Sequence, residues 1–167
     1  MDEIITEFQS ESEMLVGQML ELLESIEGEP SQVKRLAQYG QYVDRMMGTS
    51  KSLALAVPER QAQFSTIGTY CEICKQVGYK GSQITQNEEL YNVVVALLLD
   101  ATEMLQSMIS ALGVQTVDLK SFLSETFLDR LLWVTQQFAP EVRGTVASVS
   151  KADLTHLLRS LGVKMKS

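Results

Sequence analysis

The sequence predicts an all-α protein: an antiparallel up-and-down four-helix bundle with a fifth helix and a short C-terminal helical appendix. Apolar residues recur every three or four positions through each long segment, and no long run alternates with the period of a strand. Only 3 prolines occur, and none lies inside a long periodic segment. Because the connections between the segments are short, neighbouring helices are expected to run antiparallel.

The composition predicts a single globular domain over residues 1–167. Apolar residues make up 45% of the chain, enough for a core without disulfides or metals. A formal net charge of −7 argues against nucleic-acid binding, which needs clustered Lys and Arg. The chain has no uninterrupted run of 18 apolar residues, and its acidic N-terminus does not resemble a signal peptide. We therefore expect a cytoplasmic protein with no membrane span.

The first two helices have clear ends. The first carries apolar residues at helical spacing through residues 5–26. It should end at Gly28, which can take a left-handed capping conformation, and Pro30 cannot continue it. The second should stop before Pro58, which disfavours helical geometry at the preceding residue. Its predicted inward stripe is Val33, Leu36, Gly40, Val43, Met47, Ser50 and Ala54.

The third helix should end at the glycine-containing stretch GYKGS, residues 78–82. Its inward stripe is Phe64, Ile67, Cys71, Cys74 and Val77. The fourth helix, about residues 90–112, has two apolar stripes, so we expect burial over more than one face. A fifth helix within residues 117–134 can cover the second face through Leu119, Phe122, Leu123, Phe127, Leu131 and Val134.

The C-terminal appendix is predicted to be a short helix. Ser150 is a suitable N-cap, and Asp153 stands three residues later as in a capping box. The leucines at 154, 157, 158 and 161 form one apolar face, and Gly162 should end the helix.

Catalytic, metal and cofactor sites are not expected. Cys71 and Cys74 have the spacing of a redox or zinc half-site, but both fall on the inward stripe, where cysteine behaves as a small apolar residue. His156, the one histidine, lies on the polar face of the appendix, with no nucleophile arranged around it. The sequence also lacks the glycine-rich loops that bind phosphates or dinucleotides.

The order of helices and the stretch Asp44-Arg45-Met46-Met47-Gly48-Thr49 resemble the histidine-containing phosphotransfer (HPt) domain, especially the N-terminal domain of the chemotaxis kinase CheA. The resemblance covers about residues 3–112. The second helix of that family carries a histidine, any residue, an apolar residue, a lysine, a glycine and a small residue. Gly48, Met46 and Thr49 match this pattern, whereas Asp44 replaces the phosphorylated histidine and Met47 replaces the lysine.

These departures imply a pseudo-phosphotransfer domain that is not an enzyme. A phosphohistidine relay needs an imidazole nitrogen, and a helix-borne aspartate without an acidic metal pocket is not an equivalent acceptor. In the family, the glycine lets a receiver domain approach closely. The resemblance therefore implies a response-regulator receiver domain or a histidine kinase as the partner. The expected binding residues are Gln41, Asp44, Arg45, Gly48 and Lys51.

Three alternatives remain open from the residues. Gly48 can serve close helix packing, with Asp44 a solvated acid. The chain can be a helical phosphatase of phosphorylated receivers, since the Glu-x-x-Asn pattern of one chemotaxis phosphatase occurs at Glu89 and Asn92. The aspartate-glutamine pattern of another, one turn apart, is missing. Finally, the bundle can be a structural protein that oligomerises, and the oligomeric state is not predicted.

Overall fold

Five α-helices make up most of the computed structural model, which describes residues 2–114, 117–138 and 159–161. They are α1 (Asp2–Ile26), α2 (Leu36–Ala56), α3 (Gln61–Gly81), α4 (Glu88–Ala111) and α5 (Glu125–Gln137). Short 3-10 helices at Pro30–Arg35, Pro58–Arg60 and Leu119–Phe122 lie between them. No strand occurs within these described ranges, and the predicted all-α fold is confirmed.

The first four helices form an antiparallel bundle. In the first turn of α4, the Tyr91 hydroxyl donates to the backbone oxygen of Ile26, the last residue of α1, at 2.5 Å. At the other end, the Gln9 side chain of α1 donates to the backbone oxygen of Ile109, in the last turn of α4, at 2.9 Å. Helix α2 packs against α1 and α3, and α3 packs against α4, which closes the bundle.

Large side chains fill the centre of the bundle. The rings of Phe8 and Phe64 meet edge to face with centroids 5.2 Å apart. The Tyr39 hydroxyl lies 3.1 Å from the Thr102 hydroxyl, so the polar ends of two buried side chains satisfy each other. These contacts join α1 to α3 and α2 to α4 across the core.

Helix α5 covers the second face of α4, as the two apolar stripes predicted. Phe127, Leu131 and Val134 are buried there, and the Phe127 ring lies 6.3 Å from that of Tyr70 on α3. The prediction for Phe122 is wrong, because its side chain is 37% exposed at the end of a 3-10 helix.

The predicted end of α1 is confirmed. Gly28 has a φ of 72°, in the left-handed region that favours glycine. Pro30 then starts the 3-10 helix, at a position where a missing backbone N–H costs nothing. Val33 therefore lies in this 3-10 helix and is only half-buried, so the second helix begins later than its predicted stripe.

The predicted end of the third helix within residues 78–82 is confirmed, because α3 ends at Gly81, although the first four residues of that stretch are still helical. Gly78 faces α2 at a very close approach. A Cβ at Gly78 would lie 2.9 Å from a ring carbon of Tyr39 and 3.3 Å from the backbone oxygen of Leu36. Gly78 thus allows close contact between two helices. The helix tolerates the low helix propensity of this glycine because packing against α2 compensates for it.

Helix α4 is the one described helix that is long and apolar enough, by length and composition alone, to cross a membrane. Half of its most apolar window is buried inside the bundle. Since a core helix of a soluble protein passes the same test, this apolarity is weak support for a span. Its position among α1, α3 and α5 accounts for the two apolar stripes.

Both cysteines are buried free thiols on α3, so their predicted inward position is confirmed. Burial raises the pKa of Cys74 to about 12, although hydrogen bonds with the hydroxyls of Tyr39 and Tyr70 act in the opposite direction. The pKa of Cys71 is also raised, again mainly by burial. At neutral pH the thiols are therefore protonated core side chains.

Most of the predicted C-terminal helix, including Ser150, Asp153 and His156, lies outside the described residues. Within the described part, Arg159 and Ser160 are helical, and Leu161 is buried.

Candidate docking surface around Gly48

The five residues predicted to bind a partner lie on one exposed strip of α2. Gln41, Asp44, Arg45, Gly48 and Lys51 are all exposed. At 100° per residue they span an arc of about 120° on the helix. The fold thus brings every residue of the predicted site onto one continuous surface.

The buried side of α2 fixes the orientation of this strip. Its fully or nearly fully buried members are Leu36, Tyr39, Gly40, Val43, Met46, Ser50 and Ala54. One predicted stripe residue is wrong: Met47 is only half-buried, whereas Met46 is 1% exposed. The buried arc is shifted toward Tyr39 and Met46 because α2 packs against α1 as well as α3.

Gly48 faces open space. Among the residues that the structure describes, a Cβ at this position would meet no atom within 4 Å outside the local helix backbone. This contradicts the alternative that Gly48 allows close helix packing. A glycine in an exposed helix interior costs about 1 kcal/mol relative to alanine, and no packing contact at the Cβ position offsets that cost here.

Asp44 is accessible but has a partner. Its side chain is 50% exposed, and its carboxylate accepts a hydrogen bond from the Lys75 ammonium of α3 at 3.1 Å. The Lys75 side chain is 20% exposed, so the pair lies at the edge where α3 meets α2. A cation therefore lies beside Asp44, supplied by the neighbouring helix and not by α2 itself.

A second ion pair joins the two helices on the other side of Gly48. The Lys51 ammonium lies 3.3 Å from a carboxylate oxygen of Glu72 on α3. The Lys51 stem lies against Gly68, where an added Cβ would approach Lys51 Cγ to 3.1 Å. Gly68 thus leaves room for the lysine stem, which holds the charged group near the α2–α3 boundary.

Arg45 completes the frame on the side of α1. Its guanidinium lies 3.6 Å from a carboxylate oxygen of Glu11, and both side chains are well exposed. Pairs of this kind contribute between 0 and about 1 kcal/mol to stability. They order the surface around Gly48 more than they hold the bundle together.

Sequence reasoning missed Lys75, Glu72 and Glu11, which supply the opposite charges. All three come from neighbouring helices, and pairing them with α2 requires the register between helices. The periodicity of the sequence shows which side of a helix faces inward but carries no register. Glu72 and Lys75 are three residues apart, beside the buried stripe of α3. This spacing was the one signal in the sequence that both charges lie at the edge of a helix contact.

The surface offers charge, hydrogen bonds and a close approach at Gly48. Among the described residues, no group of three or more His, Cys, Asp or Glu side chains is placed to hold a metal ion. Glu89 and Asn92, the phosphatase-like pair, are exposed in the first turns of α4, whose first turn meets the end of α1. Comparison of the chain with protein-family models, curated proteins and solved structures found no match.

Proposed function

We propose that this protein is a non-catalytic, pseudo-phosphotransfer interaction module of bacterial two-component, chemotaxis-type signalling in the cytoplasm. It binds a response-regulator receiver domain, or a histidine kinase, on the α2 surface formed by Gln41, Asp44, Arg45, Gly48 and Lys51. It acts as an adaptor or as a competitor of a phosphotransfer protein that carries the histidine.

The observation that carries this proposal is the open space at Gly48. An exposed glycine in the middle of a long helix lowers helix stability, and an alanine would fit without any contact at its Cβ. A partner backbone or side chain that approaches closely at this position supplies a reason for the glycine. The resemblance to the HPt family supplies the class of partner.

The charges around Gly48 support docking without chemistry. The Asp44 carboxylate already accepts a hydrogen bond from Lys75, and an aspartate in an ion pair is a poor substitute for an imidazole nucleophile. Exposed groups of both signs frame the glycine. Such a rim gives orientation and specificity to a protein contact more than affinity.

The test is recovery of receiver-domain proteins or histidine kinases from an extract of the native cells with the full chain as bait, followed by binding measurements with the purified protein. Asp44→Arg should abolish that binding. Asp129→Arg makes the same charge change on α5 and is the matched control, which should bind as the unaltered chain does. Both variants should keep the helical circular dichroism spectrum, since loss of an exposed ion pair costs about 1 kcal/mol or less.

The same partners test the absence of chemistry. After incubation with a phosphorylated receiver or an autophosphorylated kinase, this chain should carry no radiolabel. Acid-labile label on the chain would refute the pseudo-phosphotransfer assignment. Equal binding of Asp44→Arg and the unaltered chain would refute the docking surface.

A further inference from the structure

A narrow apolar groove lies between α4 and α5, on helices that do not contribute to the Gly48 surface. Its volume is about 260 Å³. Val93, Ala96 and Leu97 line it from α4, at a spacing that places them on one helix face. Trp133 and Val134 line it from α5.

The groove exposes large apolar side chains. Trp133 is 49% exposed and Val93 is 41% exposed, whereas Leu97 and Val134 are buried at the floor. Trp133 is the only tryptophan of the chain. A half-exposed tryptophan beside an apolar cleft is the kind of residue that dominates binding energy at protein interfaces.

The two rims of the groove carry opposite charges. Asp100 lies on the α4 side and Arg130 on the α5 side, and both side chains are exposed. Neither forms a hydrogen bond or ion pair with any residue that the structure describes. Within the described part of the chain, the patch therefore presents an apolar centre between one unpaired anion and one unpaired cation.

We infer that this groove is the contact surface of a symmetric homodimer. A two-fold interface uses the same patch on both subunits, so a contact from residue i to residue j is always accompanied by one from j to i. A surface with one acid and one base flanking an apolar centre satisfies this rule. Asp100 pairs with Arg130 of the partner subunit, the reciprocal pair forms as well, and Trp133 of each copy packs against the other copy's apolar centre.

The experiment measures the mass of the full chain in solution over a concentration series by sedimentation equilibrium, together with tryptophan emission. The unaltered chain should reach the mass of a dimer, and its emission should shift to shorter wavelength as the dimer forms. Asp100→Arg and Arg130→Asp should each weaken self-association at least about tenfold, because each places like charges together twice across the interface.

A mixture of the two variants gives the sharpest result. The Asp100→Arg chain carries two cations at the rims, and the Arg130→Asp chain carries two anions. The two variants should therefore form a heterodimer with each other although neither associates with itself. Glu21→Arg on α1 and Lys34→Asp near the start of α2 make the same charge changes at exposed positions away from the groove and should dimerise normally.

Several outcomes would overturn the inference. An unaltered chain that stays monomeric at every concentration would do so. This is the result expected if another segment of the same chain occupied the groove. A dimer unaffected by the single variants would place the interface elsewhere, and a mixture that remains monomeric would refute the charge pairing. If a charge variant fails to fold, Ala96→Gln fills the groove without a charge and must also abolish the dimer.

Discussion

Gly40 and Gly48 lie about two turns apart on α2 and have opposite surroundings. A Cβ at Gly40 would lie 2.9 Å from a ring carbon of Tyr79 on α3, whereas a Cβ at Gly48 would meet nothing within 4 Å. The first glycine lets α2 and α3 pack closely. The second leaves a gap on a surface that faces solvent.

The difference shows that the residue type alone does not give the role of a helix glycine. Both positions carry the same propensity cost of about 1 kcal/mol. At Gly40, and at Gly78 on the opposite helix, tight contact between the helices offsets that cost. At Gly48 no contact at the Cβ position within the described part of the chain does so, and a binding partner is therefore proposed for Gly48 and not for Gly40.

The largest expected loss of stability comes from Gly78→Gln, which disrupts the close contact between α2 and α3. The new side chain would have to displace Tyr39 and approach the backbone oxygen of Leu36, and its amide would be buried. Overpacking and an unsatisfied polar group together should lower the free energy of unfolding by about 3 kcal/mol or more. Urea unfolding followed by circular dichroism measures it, and an unchanged midpoint would show that α2 and α3 are not in close contact.

A smaller effect is expected from Cys71→Ala with Cys74→Ala, on the inward face of α3. Both side chains are fully buried, so their removal leaves small cavities and should cost about 1–3 kcal/mol in all. Partner binding at the Gly48 surface should not change. A stable double variant that loses partner binding would contradict this prediction, because it would show that the buried cysteines of α3 affect the Gly48 surface. Partner binding that depends on the redox state of the thiols would contradict it in the same way.

The same thiols predict a loss of stability at alkaline pH. Burial raises the pKa of Cys74 from 9.0 to about 12. Because the folded state holds this proton more tightly than the unfolded chain, the contribution of Cys74 is complete below pH 9 and falls as the pH rises toward 12. The free energy of unfolding should decrease by about 1.4 kcal/mol per pH unit in this window for this thiol.

Cys74→Ala isolates that contribution, because Cys71, Tyr39 and Tyr70 also have pKa values raised mainly by burial and contribute with the same sign. Unfolding in urea with a reductant, compared between about pH 8 and pH 10, should show a shallower loss in the variant. Identical pH profiles would mean that the Cys74 thiol is accessible to solvent in the folded protein.

Much of the fold could be predicted from the sequence because buried residues recur every three or four positions along an amphipathic helix. The stripes of α1 and α4 and the inward position of Cys71 and Cys74 follow from spacing alone. The continuation of α3 through Gly78 could not, because glycine has the same local signature in a turn and in a helix contact. Only the position of α2 against α3 decides between the two roles.

The candidate site likewise has a part that the sequence predicts and a part that it does not. Exposure of Asp44 and Gly48 follows from their angle on α2 relative to the buried stripe. The ion pair from Lys75 to Asp44 depends on how far α3 is shifted along α2, and no periodicity within one helix contains that shift. The residues of the strip were therefore predictable, whereas the charges that face them were not.

The smallest change in stability is expected from Gly48→Gln, at the glycine whose Cβ position faces open space. Glutamine is a better helix former than glycine, so the free energy of unfolding should stay unchanged or rise by up to about 1 kcal/mol. Gly17→Gln on α1 is the matched control, because Gly17 is also exposed and a Cβ there would meet nothing within 4 Å.

The docking proposal requires the two glutamine variants to differ in binding although they agree in stability. Gly48→Gln fills the gap beside Asp44 and should abolish association with the receiver domain or kinase, measured by titration calorimetry, while Gly17→Gln should bind normally. A lower melting temperature for Gly48→Gln would mean that its longer side chain has to enter a helix contact, which would restore the packing alternative. A stable Gly48→Gln variant that binds with unchanged affinity would leave Gly48 without a role in docking, and the open space at this position would then lose its functional meaning.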